Sequence, residues 1–307
     1  MAVLTAKGIA NLSIELLTRQ LILPRTVTMV SGSEFMGPNG GTVTVRVPQP
    51  TTARTQASPG AALTADAMSE IPVDVSLSHV YHLTNLTDQD LTYNLEDFGA
   101  QITKPQVDAV AAGAEQKLYD VINALTVQAA VTYEFDISPT APATDDTETR
   151  RVLLLARKYL SDANCPATDR WLACGSTIYN RVIQLLTPTA VAVDSGSDAL
   201  RNAIAGRIYG FNVIEAPGLD TAEAVAYHKS AFAFAFRSPA LPKGASESAL
   251  VNAQGVSLRQ VFQYNAATAT DQSLVSTFAG AAAIYEDGTG TNGTVRSRFC
   301  KLQNSAT

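Results

Sequence analysis

Three histidines, three cysteines, one glycine string and one acidic knot are the residues whose types could carry chemistry in this chain. GTGTNG, with Gly288, Gly290 and Gly293, matches the GxGxxG string of dinucleotide-binding folds. That string works only between a strand and a helix, where it aims backbone amides at a pyrophosphate. Here TVRSRFC follows, a β-like or loose tail, so the composition reads as a flexible turn. His79 and His82 bracket Val80 and Tyr81, and His228 stands alone in AYHKS, far from any cysteine, so spacing builds no ligand set. Asp145, Asp146 and Glu148 could attract a cation, but such a trio more often caps a helix. Cys165, Cys174 and Cys300 form no CxxC pair, which predicts reduced, structural thiols. No Ser, His and Asp set is located by spacing. The expectation is a protein that is not an enzyme and holds no cofactor and no metal.

Composition narrows the classes further. The chain has 307 residues, 46% hydrophobic and 16% charged, enough for a sizeable core and about two domains. Scarce charge with abundant Ala, Thr and Val fits a protein that buries surface against copies of itself. A net charge of -6, with 22 basic against 28 acidic residues, argues against affinity built on neutralising phosphates. The N-terminus lacks a signal-peptide pattern and no apolar run approaches a membrane span, so no membrane partner is expected.

The elements that must position any site centre on one stretch, residues 94 to 126. Asn94 is a good N-cap, with Glu96 and Asp97 where the helix dipole favours negative charge. Phe98, Ile102, Val110, Ala114, Leu118, Val121 and Leu125 draw one apolar stripe along a helix of roughly 50 Å, a strut. Pro105 predicts a bend, and the waist from Ala109 to Ala114 predicts a close neighbour.

Before the strut, residues 5 to 23 place Ile9, Leu12, Leu16 and Leu17 on one face of a short helix that Pro24 stops. That face must dock on a distant part of the fold or on a neighbouring subunit. Val43, Val45 and Val47, then Val73, Val75 and Leu77, alternate as half-buried strands do, and the Pro- and Thr-rich stretch between them is a tip. The result is a two-stranded excursion from about Ser31 to Tyr81, marginal alone in water and in want of a partner. After the strut the rhythm becomes α/β: a helix over 146 to 161, the strand RWLACG, a helix capped by Ser176 or Thr177, a helix around 199 to 204, and the strands GRIYGFNVIEAP and AVAYHKSAFAFAFR. Two β segments then surround a polar turn at Asn265 to Asp271. These need a partner sheet beside the strut, which makes the intervening unit an insertion.

The ordered set ILPRTV, GGTVTVRVPQPTTART, DFGAQITKPQVDAVAAGAEQ and DQSLVSTFAGAA resembles the major capsid (coat) protein of tailed double-stranded DNA bacteriophages, the Hong Kong 97-type fold, in its branch without a fused scaffolding domain. The resemblance covers nearly the whole chain. It implies an α+β fold with an N-terminal arm (1–30), an extended β-hairpin loop (31–84), a peripheral domain with a long spine helix (85–135), an inserted axial α/β domain (136–251), a returning peripheral β segment (252–290) and a C-terminal tail (291–307).

It also implies a function. The subunit would assemble with itself into hexamers and pentamers of an icosahedral shell in the bacterial host cytoplasm and enclose double-stranded DNA without reading its sequence. Its other expected partners are a portal and separate scaffolding or decoration proteins. Some relatives weld the loop to a neighbour through a Lys to Asn isopeptide bond, but no lysine lies between Lys7 and Lys104. The sequence hypothesis is that Arg46 and Arg54 pair with carboxylates across the interface while Asp66, Glu70 and Asp74 accept from a neighbour; solvated loop charges are the alternative. Two other functions compete: an encapsulin-type nanocompartment shell of the same fold, and a nucleotide-binding α/β enzyme, which leaves the hairpin unexplained.

Overall fold

The computed structural model describes residues 10–11, 13–15, 17, 21–30, 41–48, 53–56, 58–60, 62–63, 65, 70–87, 99–125, 136–137, 145–190, 206–253, 255–285 and 298–304. Two sheets share one helix between them. That helix, α1 (Lys104–Asn123), buries Val110, Ala114 and Leu118 of the stripe expected from the sequence, together with Val107, Ala111 and Ile122, which the stripe did not include, while Val121 is only partly buried. Its twenty residues span about 30 Å. A π-helical turn, Gly99–Thr103, leads into the α-helix, so Pro105 sits in the first α-helical turn, at the junction of the two kinds of helix. Asn94 and the residues up to Phe98 lie outside the described residues.

The first sheet takes β1 (Thr28–Val30), β4 (Ser78–Thr87), β9 (Phe232–Arg237), β10 (Glu247–Ala253), β11 (Val256–Asn265) and β12 (Thr270–Ala283). Its order is β1-β9-β12-β11-β10, with β4 also on β12. The second takes β5 (Arg170–Cys174), β6 (Arg207–Ile208), β7 (Phe211–Glu215), β8 (Glu223–His228) and β13 (Phe299–Gln303), in the order β13-β8-β5-β7-β6. Helices α2 (Asp145–Asp162) and α3 (Ser176–Ala190) cover one side of it through Val152, Ala156, Leu160, Ile178 and Val182. Val225, Tyr227 and Phe299 from this sheet and Leu258, Val275 and Ala279 from the first meet the buried stripe of α1 in one core. Apolar burial on this scale dominates the stability of the fold.

Strand membership departs from the sequence reading in three places. AVAYHKSAFAFAFR is two strands, β8 and β9, split between the sheets by a 3₁₀ turn at Lys229–Ala231. GRIYGFNVIEAP is a hairpin, β6 and β7, because Tyr209 and Gly210 both take positive φ, 48° and 89°, and close a two-residue turn. The C-terminal stretch is no loose tail throughout: Phe299–Gln303 pairs antiparallel with β8. Residues 199 to 204 lie outside the described set.

Where the backbone comes close, the sequence supplies glycine. A methyl group on Gly113 would stand 2.9 Å from a Val80 side-chain carbon, so β4 is the neighbour that the slim waist anticipated. On Gly280 it would stand 2.2 Å from the Ser76 carbonyl, because the hairpin base crosses β12 there. That hairpin, β2 (Thr42–Pro48) with β3 (Glu70–Ser76), is antiparallel, and Val43 and Val75 at its base bury against Ala233 and Ala235 of β9. The Phe side of β9 enters the central core and its Ala side receives the hairpin.

Polar groups then lock the pieces together. The N-terminal helical residues dock on this chain's own sheet: Ser13 Oγ donates to Gln260 Oε1 at 3.2 Å, and Ala10 packs with Ala249. Leu17 joins the core, while Ile9, Leu12 and Leu16 are outside the described residues. Gln260 Nε2 donates to Ser273 Oγ (3.4 Å), whose hydroxyl donates to Gln106 Oε1 (2.9 Å). Gln106 Nε2 in turn reaches the Ser273 carbonyl (2.8 Å) and Thr84 Oγ1 (3.0 Å). The Glu115 carboxylate accepts the Leu23 N–H at 2.8 Å, and burial pushes its pKa above the ordinary carboxylate value.

At the other end of α1 no basic residue stands in the last turn. Lys301 supplies the cation from β13: its buried Nζ donates to the Asn123 and Leu125 carbonyls, each at 3.0 Å, and pairs with Glu223 at 2.7 Å. Replacing it, Lys301→Met, is expected to cost roughly 3 kcal/mol, since a half-covered carboxylate and two carbonyls lose their donor. Chemical denaturation of the subunit measures this, and a change within about 0.5 kcal/mol would refute the clamp.

Candidate functional site

Two surfaces among the described residues leave large apolar side chains exposed. The first is the hairpin. Its residues 53–56, 58–60, 62–63 and 65 are exposed, and Leu63 there is 81% exposed, the most open large apolar side chain among the described residues. Arg46 and Glu70 occupy opposite strands near the tip and meet at 3.4 Å, with side chains 77% and 56% exposed. Asp74 accepts the Thr44 hydroxyl at 2.6 Å. Thus three of the five charged residues singled out from sequence make contacts within the hairpin itself. Arg54 lies exposed beyond the strands, and Asp66 lies outside the described residues. An exposed pair such as Arg46 with Glu70 is worth about 0.2–1 kcal/mol, too little to hold the hairpin's shape alone.

The second surface is the face of the first sheet that turns away from α1. Register puts Leu83, Leu274 and Val261 in one row across β4, β12 and β11, and Tyr81 and Ser276 in the next. Tyr81, Leu83, Val261 and Leu274, with His79, Gln263 and Gln272, line an open groove of about 370 Å³. Tyr81 is 60% and Leu83 46% exposed. His79 stacks on Tyr81 and leans on Phe278, with centroids 5.2 and 5.1 Å apart; burial first, then Arg259, holds its pKa below the ordinary histidine value. β4 pairs with β12 along one edge, and no named strand pairs with its other edge among the described residues.

Sequence reasoning missed this groove. In VYHLTNL each of the two alternating sets mixes apolar and polar side chains, so the pattern does not say which set faces the helix. The fold decides: His82 and Thr84 share the side of Gln106, while His79, Tyr81 and Leu83 face out. The same alternation sends His79 and His82 to opposite faces. His228 sits in the other sheet, where its ring meets Ser230. Among the described residues no three His, Cys, Asp or Glu side chains gather as a metal site, and no helix is long and apolar enough to cross a membrane. The GTGTNG string and the side chains of Asp145 and Asp146 are outside the described set.

No protein-family model matches the sequence, and no curated protein matches it. Solved structures do. A chain of Mycobacterium phage Che8 superposes with a TM-score of 0.57 at 16% identity, covering 86% of this chain and 88% of that one. The mature capsid of bacteriophage PhiM1 gives 0.58 at 12% identity over 92% and 86%. A virus-like particle from Pyrococcus furiosus gives 0.52 at 8% identity over 96% and 97%. What these superpositions show is the fold: an α+β chain in which a hairpin, a strut-backed sheet and a second α/β sheet are combined. Its particular form is the Hong Kong 97-type capsid fold expected from the ordered sequence elements.

The cysteines give a test independent of assembly. None of the three is in a disulfide and all are buried, and burial pushes the Cys174 and Cys300 thiols far above the ordinary thiol value. A thiol reagent at neutral pH is expected to leave both unmodified until the subunit is unfolded; fast labelling of either in the native protein would contradict the packing.

Proposed function

We propose that the chain is the major capsid protein of a tailed double-stranded DNA phage, a structural, non-catalytic subunit that assembles with itself into hexamers and pentamers. One observation carries the reading beyond the fold: within one copy the described tip residues and the groove are both left exposed, with Leu63 81%, Tyr81 60% and Leu83 46% exposed. The hairpin ladder runs over seven pairs, about 20 Å, from Thr42 and Ser76 to Pro48 and Glu70. A second copy supplies both halves. The exposed Leu63 and the carboxylates flanking the tip suit a groove whose rim carries Arg259 and His79. A heterologous contact of this kind repeats around a ring. Each contact stays modest, and simultaneous contacts with several neighbours add avidity.

The division into arm (1–30), extended loop (31–84), peripheral (85–135 and 252–290), axial (136–251) and tail (291–307) segments is kept as the working description, with β9 and β10 assigned to the strut-backed sheet and β13 to the axial sheet. Assembly takes place in the host cytoplasm with a portal and separate scaffolding or decoration proteins. DNA is confined, not recognised: 22 basic against 28 acidic residues give no excess of cations for phosphate binding. Arg54, Asp66 and the outward faces of Arg46, Glu70 and Asp74 meet the neighbour.

Electron microscopy of purified particles tests the main reading. Closed shells containing nuclease-protected DNA are expected. Shells holding a protein cargo would instead favour the nanocompartment, and a stable compact monomer would defeat both. The contact is tested by Leu63→Cys with Leu83→Cys, which should give a ladder of covalent oligomers on oxidation; intact shells with no ladder would remove the contact and leave the shell. Arg54→Ala is expected to lower the salt concentration at which shells fall apart, and unchanged shells at raised salt would remove its role.

A further inference from the structure

Between the two sheets runs a three-residue 3₁₀ turn, Lys229–Ala231, with β8 entering it and β9 leaving. Every neighbouring element ties into it. His228 N–H donates to the Arg298 carbonyl ahead of β13 (2.9 Å), Lys229 N–H to the Asp169 carbonyl ahead of β5 (3.0 Å), and Ile284 N–H after β12 to the Ala231 carbonyl (2.8 Å). The Thr28 hydroxyl of β1 donates to the Lys229 carbonyl at 3.1 Å. The turn is therefore where motion of one sheet would pass to the other.

Its N-cap is an imidazole. His228 Nδ1 accepts the Ser230 N–H at 3.2 Å, so the ring is neutral with its proton on Nε2. The Ser230 hydroxyl lies 2.8 Å from the same nitrogen and accepts from Arg298 Nη1 at 2.6 Å, which leaves its own proton to point at Nδ1. We propose that this joint is an acid-sensitive coupling between the two sheets, with His228 as its sensor. A proton arriving at Nδ1 converts the acceptor into a donor. Ser230 N–H then loses its partner, the hydroxyl must turn away, and an imidazolium faces the Arg298 guanidinium.

The surroundings set the direction. Burial first, then Arg298, lowers the His228 pKa below the ordinary histidine value; Asp169 opposes this, and Arg170 and Lys229 reinforce it. Asp169 is the only acid among these groups. Arg170, opposite His228 in the β5 ladder, directs its buried guanidinium to the Pro166 and Cys165 carbonyls and to Ser161. With the native pKa depressed, the unfolded chain binds more protons in this window. The joint is fully formed above the ordinary histidine pKa and weakens as pH falls below it.

Hydrogen–deuterium exchange of the full chain between about pH 7.5 and about pH 5, corrected for intrinsic exchange, tests this. Wild-type peptides spanning 228–231 and 284 should lose protection about fivefold on acidification, as for one neutral hydrogen bond. His228→Gln, whose carbonyl can accept from Ser230 but cannot titrate, should show no such step. The same acid step in His228→Gln, or none in wild type, overturns the proposal. Should His228→Gln fail to fold, the wild type decides alone: the Ser230 amide and the His228 ring must titrate together by NMR, and independent titration sinks the coupling.

Discussion

A short string of buried amides and hydroxyls is the constraint on which the rest of this fold depends. Ser13, Gln260, Ser273, Gln106 and Thr84 come from the arm, β11, β12, α1 and β4, and each depends on the next for a partner. Apolar contacts around α1 supply most of the free energy, but they are tolerant of small slides. An amide with a missing partner in a dry interior costs about 1–3 kcal/mol, so the string fixes one register between helix and sheet. The glycines at 113 and 280 do the same by contact: they admit Val80 and the Ser76 carbonyl at distances that no side chain would allow.

This register determines what is left outside. With the face bearing Gln260, Ser273 and Val275 turned to α1, the face bearing Tyr81, Leu83 and Leu274 has no cover among the described residues. With Val43 and Val75 seated on β9, the hairpin keeps Val45, Val47 and Val73 against the same cluster and leaves the described tip residues exposed. An uncovered apolar groove is a liability in a solitary protein. In the proposed shell the hairpin tip of a second copy covers it. The two sheets share a core through α1 and are bound at opposite points by Lys301 and by the turn at Lys229–Ala231, so a shift in one is felt by the other.

Much of this was legible in the residues. The alternation of Val43, Val45 and Val47 against Val73 and Val75 gave both hairpin strands, and the spacing of Val110, Ala114 and Leu118 gave the buried stripe. The slender waist correctly announced a close neighbour. Less legible were features governed by partners distant in sequence. The sequence marked Pro105 as a point of change in the helix but not its form, a π-helical turn that gives way to α-helix at Lys104. Alternating Ala and Phe looked like one strand because nothing local marks the point where a chain leaves one sheet for another. The five charges proposed for the interface were identified by type, yet Arg46 with Glu70 and Asp74 with Thr44 find partners inside the hairpin, a pairing set by its antiparallel register.

The sequence by itself determined the local periods, the turn chemistry, the reduced state expected of the cysteines and the absence of a lysine from the extended loop. These depend on neighbours a few residues apart, where side-chain spacing and backbone preference dominate. Only the tertiary structure decided that Phe299–Gln303 returns to the second sheet, that Lys301 closes the end of α1, that β4 turns Tyr81 outward, and that His228 caps the turn between the sheets. The β13 pairing and the Lys301 clamp join residues far apart in sequence, 178 positions for Lys301 and Asn123, and no short-range pattern can encode which of several compatible strands will pair.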